Sequence, residues 1–200
     1  MLKHILVCLV LTVVLVSVPC RAEETDHEIH QELRALLKKA AEAINSSKFE
    51  DVLPLLSENP RITPINQEFI TTRPAMLAYF TKHFGPGHKL RSVEVTWEAD
   101  ALTELSPDKT WGLSCGKGTE VYTLNDGRVY PMPVRWTSVV VKESDGKWRI
   151  RSMHIGTDFL DNPVLNEYER AVKKYAIGGG MGGAIGGLAV GFLLRRRRKS

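Results

Sequence analysis

Residues 129–155 read VYPMPVRWTSVVVKESDGKWRIRSMHI, and this stretch predicts two antiparallel strands joined by a tight turn. Asp145-Gly146 lies between two runs rich in valine, tryptophan and isoleucine. An Asp-Gly pair in that setting is a strong hairpin signal, because glycine accepts the positive φ that such turns require. We therefore predict strands from Val129 to Lys142 and from Lys147 to about Thr157.

Two further strands are predicted before this hairpin. From Leu90 onward the apolar residues alternate with polar ones, which is typical of a strand with one buried and one solvated face. The apolar members are Val93, Val95, Trp97, Ala99 and Ala101. Another strand is predicted over Trp111 to Leu124, and Asp126-Gly127 separates it from the next. The second half of the chain is therefore expected to be a four-stranded antiparallel meander.

The segment before Leu90 is predicted to be largely helical. Apolar residues recur at intervals of three and four over about residues 27–45, which indicates an amphipathic helix. These residues are Ile29, Leu33, Leu36, Leu37, Ala40, Ala43 and Ile44. A shorter helix limited by Pro54 follows, and Thr72 is placed to cap a third helix. Between them, Arg61–Ile65 and Glu68–Thr71 predict a small hairpin.

This order of elements resembles the nuclear transport factor 2-like superfamily. Within it, the sequence is most similar to the SnoaL-like branch, because residues 145–150 (DGKWRI) lead to His154 in the last strand and Arg135-Trp136-Thr137 lies in the strand before. The resemblance covers roughly residues 27–160. It implies an α+β fold, in which a strongly curved antiparallel sheet wraps around the N-terminal helices to form a cone with a pocket inside.

The register of the last hairpin decides which side chains face that pocket. A loop of two or four residues would place Val141, Val139, Thr137 and Arg135 on one face with Trp148, Ile150, Ser152 and His154, and only a three-residue loop would change this. Burying the apolar end of that face would carry Arg135, Thr137, Ser152 and His154 into the cone. We therefore predict that these four residues bind a ligand. The alternative is that Arg135 and His154 form a structural polar pair.

The opposite face of the hairpin is predicted to lie outside. It would carry Trp136, Val140, Met153, Ile155, Arg149 and Arg151. A mixed apolar and basic surface suggests a partner, and many relatives of this fold dimerise through the sheet, so we expect a homo-oligomer. An ordinary solvated sheet, with long arginine side chains covering apolar atoms, is the alternative.

The first 22 residues have the pattern of a cleaved signal peptide. Lys3 and His4 precede an apolar run from Ile5 to Val18, and Pro19-Cys20-Arg21-Ala22 offers small residues at the two positions that a signal peptidase reads. An uncleaved N-terminal anchor is the alternative. Cleavage would leave Cys115 as a lone cysteine, so the exported domain would be held together by its core.

The C-terminal part predicts a membrane anchor. Residues 163–175 form the predicted juxtamembrane helix, and Ala176–Leu194 contains no charged residue. About 19 residues at ~1.5 Å per residue span the hydrocarbon core of a bilayer. The basic tail, residues 195–200, is expected to stay cytoplasmic. The domain, residues 23–162, would then lie on the outer side, periplasmic or extracellular, of a cell membrane that the chain crosses once; a bacterial envelope fits best.

Glycines recur every four residues in this predicted span. One series contains Gly178, Gly182 and Gly186, and the other contains Gly179, Gly183 and Gly187. Glycine at that spacing lets helix backbones approach closely, so we predict self-association of the helix. A loosely packed single anchor is the alternative.

Charge and composition exclude several classes of function. The net charge of +4 is accounted for by five basic residues, Arg195 to Lys199, so a basic surface for nucleic acid is not expected on the domain. His27 and His30 stand three apart, but no third metal ligand is identifiable, and neither a metal nor a cofactor is expected.

Two functions stay open from the sequence. The first is a non-catalytic, membrane-anchored module that binds a small ligand or a protein partner. The alternative is an enzyme similar to ketosteroid isomerase or a cyclase, acting on a small hydrophobic substrate through His154 and Arg135. Ketosteroid isomerase uses a carboxylate base and an oxyanion hole, and no residue here is matched to that set.

Overall fold

The computed structural model describes residues 21–176, with side chains described from residue 26 onward. The segments predicted as signal peptide, transmembrane helix with its glycine repeats and basic tail lie outside this range, apart from a few residues at its two ends. None of the helices within the described range is both long and apolar enough to cross a membrane.

The N-terminal half supplies the helices. Helix α1 runs over Arg21–Asn45 and buries the predicted apolar stripe, with Leu33, Leu36 and Ala40 in the core. The predicted short helix is a 3₁₀ helix, Phe49–Leu55. Helix α2, Arg73–His83, begins as predicted, because the Thr72 hydroxyl accepts a hydrogen bond of 3.2 Å from the backbone N–H of Ala75.

Six strands form a single sheet. They are β1 (Leu56–Thr63), β2 (Leu90–Ala99), β3 (Glu104–Leu105), β4 (Trp111–Leu124), β5 (Val129–Lys142) and β6 (Trp148–Gly156). The spatial order is β1-β6-β5-β4-β2, and β3 pairs with β4. The predicted antiparallel meander of four strands is confirmed as β2, β4, β5 and β6. The curved sheet and the helices together form the expected α+β cone.

The predicted small hairpin is wrong in extent. Only Ile62 and Ile70 pair there, through two backbone hydrogen bonds of 2.9 Å. Strand β1 instead begins at Leu56 and runs parallel to β6, with a register shift between Leu56 and Arg61. Pro60 lies in that irregular stretch, and proline cannot donate to a regular ladder. The strand that looked like half of a local hairpin is therefore an edge of the main sheet.

The β5–β6 loop has three residues, the one length that changes the predicted register. The backbone N–H of Glu143 donates to the Lys147 carbonyl at 3.0 Å, and Gly146 takes the positive φ of 77° that closes the turn. A bulge follows, because Val140 pairs with Ile150 whereas Val139 pairs with Ser152. These two irregularities decide which side chains of the hairpin face the helices.

The predicted faces of this hairpin are consequently wrong for most of their residues. The buried inner face carries Met132, Val134, Trp136, Ser138 and Val140 of β5 with Trp148, Ile150, Met153 and Ile155 of β6. Trp148 and Ile150 lie inside as predicted. Trp136, one of the residues of the predicted partner surface, belongs to the core instead. Its ring occupies space over Gly116 of β4, where a Cβ atom would come within 2.2 Å of it.

Candidate functional site

The four predicted ligand-binding residues do not line the interior of the cone. Arg135 is exposed and forms an ion pair with Asp100, in which Nη1 lies 3.0 Å from Oδ1. This arginine lowers the pKa of Asp100 by hydrogen bonding to it. Thr137 and His154 pair across the ladder and are also exposed, while Ser152 is half-buried at the bulge. The prediction that these side chains enter the cone is wrong, for the reasons of loop length and bulge given above.

The interior of the cone contains a cavity of about 60 Å³ between α1, α2 and the inner face of the sheet. Its lining is almost entirely apolar and includes Ala40, Ile44, Met76, Phe80, Val95, Ile150, Met153 and Ile155. The polar exceptions are Glu120, Tyr122, Tyr79 and the indole of Trp97. An apolar cavity with a few convergent polar groups is the usual form of a small-molecule site.

Glu120 is the acidic residue of this cavity and is 3% exposed. Trp97 Nε1 donates a hydrogen bond of 3.2 Å to Oε1, and the Tyr122 hydroxyl donates one of 2.5 Å to Oε2. Burial raises the pKa of Glu120, which outweighs the opposite effect of these two hydrogen bonds. A carboxyl group in such surroundings holds a proton more tightly than one in water.

Two phenols accompany this carboxyl group. Tyr122 lies two residues along β4, and Tyr79 comes from α2. Burial raises the pKa of both hydroxyls, and the nearby charge of Glu120 adds to the effect. Both therefore stay protonated at neutral pH. Tyr79 can donate its hydroxyl hydrogen to a ligand, whereas the hydroxyl hydrogen of Tyr122 is already donated to Glu120.

A wider recess of about 540 Å³ adjoins the cavity and shares Tyr79 and Tyr122 with it. Its other lining residues include Ile65, Asn66, His83, Leu90, Leu124, Arg128, Tyr130, Met132, Asn162 and Val164. These residues come from the ends of strands and helices at one end of the cone. We call this recess the mouth.

Glu68, which is paired with the mouth residue His83, has an environment opposite to that of Glu120. Lys82 Nζ lies 3.0 Å from Oε2 of Glu68, and His83 Nε2 lies 2.5 Å from Oε1. The hydrogen bond from Lys82, followed by that from His83, lowers the pKa of Glu68. A carboxylate that stays ionised beside the mouth thus contrasts with a carboxyl group inside the cavity that protonates more readily.

Among the described residues, no group of three or more His, Cys, Asp or Glu side chains is arranged to hold a metal ion. The cavity itself offers hydrogen bonding by the two phenols and proton exchange by the buried carboxyl group of Glu120.

Glu120 is not among the site residues predicted from the sequence, although the sequence contains a signal for it. Glu120 has the same parity in β4 as Gly116 and Leu124, and it pairs with Met132 of β5. Side chains of equal parity share one face of a strand. Had Met132 been assigned to the inner face, Glu120 would have been recognised as an acidic residue that faces the core.

No protein-family model matches this sequence, and no curated protein sequence matches it either. Solved structures do match. A protein assigned by name as a scytalone dehydratase, from Novosphingobium aromaticivorans, aligns with a TM-score of 0.59 at 13% identity, covering 68% of this chain and 89% of that chain. The hexachlorocyclohexane dehydrochlorinase LinA (type 2) aligns with a TM-score of 0.56 at 8% identity, covering 68% and 90%.

A further match is ActVI-ORFA from Streptomyces coelicolor, with a TM-score of 0.53 at 14% identity over 65% of this chain and 98% of that chain. At such identities the likeness concerns the fold alone. This chain therefore shares the SnoaL-like, nuclear transport factor 2-like fold, in agreement with the resemblance inferred from the order of its elements.

Proposed function

We propose that this chain is an exported, membrane-anchored domain that binds a small apolar ligand inside its SnoaL-like cone. Glu120, Tyr122 and Tyr79 recognise one polar group of that ligand. The proposed anchor is Ala176–Leu194, which places the domain on the outer side of the membrane and the basic tail in the cytoplasm. This role needs neither a metal nor a cofactor.

The burial of Glu120 in an otherwise apolar interior carries the proposal. Removing a carboxyl group from water costs free energy, which hydrogen bonds from Trp97 and Tyr122 offset only in part. A core that served packing alone would be better filled by an apolar side chain of the same size. The free-energy cost of burying Glu120 has a functional reason if its carboxyl group interacts with a ligand that enters the cavity.

The surroundings of the site restrict the ligand. Because the pKa of Glu120 is raised, the cavity disfavours additional negative charge. Tyr79 can donate a hydrogen bond to the ligand, while the hydrogen of Tyr122 is held by Glu120, so the ligand should offer Tyr79 an uncharged acceptor such as a carbonyl or hydroxyl oxygen. A polar end of this kind fits the cavity of about 60 Å³, while a larger apolar body would occupy the mouth.

A second function, acid–base catalysis on the bound molecule, is supported by the same carboxyl group. The pKa of Glu120 is raised toward neutral pH, and a general acid or base is most effective when its pKa lies near the pH at which it works. Two of the matching structures carry the names of a dehydratase and a dehydrochlorinase. Any such reaction would use Glu120 and Tyr122, since Arg135 and His154 lie on the outer face.

The test of binding uses the full chain in detergent with naphthol, an apolar fluorescent probe that has a single hydroxyl group. We compare wild type with Glu120→Met, which removes the carboxyl group at similar length, and with Tyr79→Phe, which removes only a hydroxyl. Glu98→Met is the matched control, because Glu98 is exposed on β2. We expect roughly tenfold weaker binding for Glu120→Met, several-fold for Tyr79→Phe and no change for the control.

Equal affinities in all four proteins would show that the probe binds elsewhere, and no binding to wild type would refute the ligand class. To separate binding from catalysis, Glu120→Gln is assayed with a ketosteroid for isomerisation. Turnover by wild type that is lost in Glu120→Gln would establish the catalytic role, whereas its absence from both would leave the binding role alone.

We also propose that the chain self-associates, both through the glycine series in the anchor and through the outer face of the sheet. The spacing of Gly178, Gly182 and Gly186 supports the first contact. The second contact would use the exposed outer residues and not Trp136 or Met153, which belong to the core.

A further inference from the structure

Residues 163–176 form helix α3, which begins at the wall of the mouth. Asn162 and Val164 line the mouth. Glu167, one turn further along, accepts a hydrogen bond of 2.5 Å from the Tyr130 hydroxyl and lies 3.7 Å from Nη1 of Arg128. The start of α3 is therefore fixed to the strand end that borders the opening.

Local contacts fix the connection between β6 and α3 in the same place. The Thr157 hydroxyl donates to the Pro133 carbonyl at 2.8 Å, which ties the end of β6 to β5. Asn162 caps the helix, because its Oδ1 accepts from the Leu165 N–H at 3.0 Å. The direction in which α3 leaves the domain is thus set by the fold.

Beyond Glu167 the helix departs from the domain. Tyr168 is 67% exposed, and Tyr175 near the end of the helix is 79% exposed. Phe159 and Leu160, in the loop just before α3, are 84% and 80% exposed. We call Phe159, Leu160 and Tyr168 the rim. Large apolar and aromatic side chains exposed beside a pocket mark a surface that meets an apolar partner.

The chain itself indicates what that partner is. Ala176 starts the segment predicted to enter the bilayer, and it lies nine residues after Glu167. At ~1.5 Å per helical residue, the mouth is then within about 14 Å of the hydrocarbon boundary. Tyrosine is enriched at membrane interfaces, and Lys173 and Lys174 suit the headgroup layer.

We infer that the rim rests on the lipid surface and that the mouth opens toward the outer leaflet, so that the ligand of the cone is a lipophilic molecule drawn from the bilayer. This rests on the proposed function for the anchor and the cavity, and it adds the source of the ligand. A second copy of the chain is a less suitable partner for the rim, since the rim adjoins the helix that leads into the membrane.

The test measures contact between the rim and lipid in the full chain. All three natural cysteines are replaced by serine, and one cysteine is introduced by Leu160→Cys or, as a second position, Phe159→Cys. Each is labelled with an environment-sensitive fluorophore and reconstituted into phosphatidylcholine vesicles with or without doxyl-labelled lipid. Ser144→Cys is the control, because the β5–β6 loop lies at the opposite end of the strands.

We expect blue-shifted emission and quenching by about half or more at both rim positions, and neither effect at Ser144→Cys. Water-like emission from both rim positions would overturn the inference, as would equal quenching at the rim and the control. Alkaline extraction of the same vesicles distinguishes the two levels of failure. A chain released by alkali refutes the anchor itself, whereas a retained chain with an unquenched rim refutes only the orientation.

Discussion

Tyr122 donates its hydroxyl hydrogen to Glu120 at 2.5 Å from a position two residues further along the same strand. Both side chains face the interior because alternate residues of a strand share a face. With Trp97 bound to the other oxygen, the carboxyl group is held by its own sheet and needs no helix to orient it. Each oxygen keeps a lone pair, so the group retains the capacity to bind a ligand.

Protonation of Glu120 should make stability depend on pH in a direction opposite to that of the surface carboxylates. The pKa of Glu120 in the folded state is raised above its ordinary value of 4.5, so the folded state binds more protons than the unfolded state once the pH exceeds that value. Stability from this group is therefore greatest below about pH 4.5 and falls as the pH rises toward the folded pKa.

The measurement is thermal unfolding of wild type and Glu120→Gln over a pH series. The difference in melting temperature between the two proteins should change in favour of Glu120→Gln as the pH rises above 4.5, since glutamine does not ionise. Subtracting the two curves removes the contribution of carboxylates such as Glu68 and Asp100, whose lowered pKa values act in the opposite direction. A difference in melting temperature that does not change with pH would contradict the conclusion that burial raises the pKa of Glu120.

Substitutions on the outer face should leave ligand binding intact. Arg135→Gln breaks the ion pair with Asp100, and His154→Gln removes an exposed imidazole. Neither side chain reaches the cavity, so naphthol should bind both variants with the affinity of wild type. Glu120→Met provides the positive control for lost binding. A tenfold loss of naphthol affinity in either outer variant would indicate that the ligand binds at the hairpin face that carries Arg135 and His154, as predicted from the sequence.

Gly116 should tolerate no side chain. A Cβ atom there would lie 2.1 Å from the Glu98 carbonyl oxygen and 2.2 Å from the Trp136 ring. Gly116→Ala should therefore lower the free energy of unfolding by about 2 kcal/mol or more, measured by denaturant titration. Gly156→Ala is the control, because its Cβ would meet nothing within 4 Å. Equal stability of the two variants would contradict the close packing of Trp136.

The glycine series in the proposed anchor predicts an effect on assembly. Gly182→Leu together with Gly186→Leu should reduce cross-linking of the full chain in membranes, because the larger side chains keep helices apart at the anchor while the contact through the sheet remains. Ile185→Leu, which leaves both series unchanged, serves as the control. Cross-linking that is undiminished in the double variant would contradict the contact through this glycine series.

Local patterns in the sequence were sufficient to predict most elements. Alternation gave the four strands of the meander, and Thr72 marked the start of α2 because a capping hydroxyl acts within one turn. The pairing register of β5 and β6 could not be predicted from local patterns in the same way. Asp145-Gly146 indicates a turn, but whether the loop holds two, three or four residues depends on how the whole hairpin packs.

The bulge near Val139 and the parallel pairing of β1 with β6 had no comparable local signal. Both result from contacts between distant parts of the chain. The error in the predicted site has the same origin. Because the inner face of β5 was displaced by one residue, Arg135 was assigned to the interior in place of Trp136, and Glu120 was not recognised as an inward-facing residue.

The pairing of β1 with β6 also has a consequence for biosynthesis. Leu56 and Ile150 are partners although about ninety positions separate them, and contacts of such long range form late. A nascent chain that has exposed only α1, β1 and α2 keeps an unpaired strand edge until its last strand arrives. The growing polypeptide is therefore most open to aggregation and chaperone capture just before its sheet is complete.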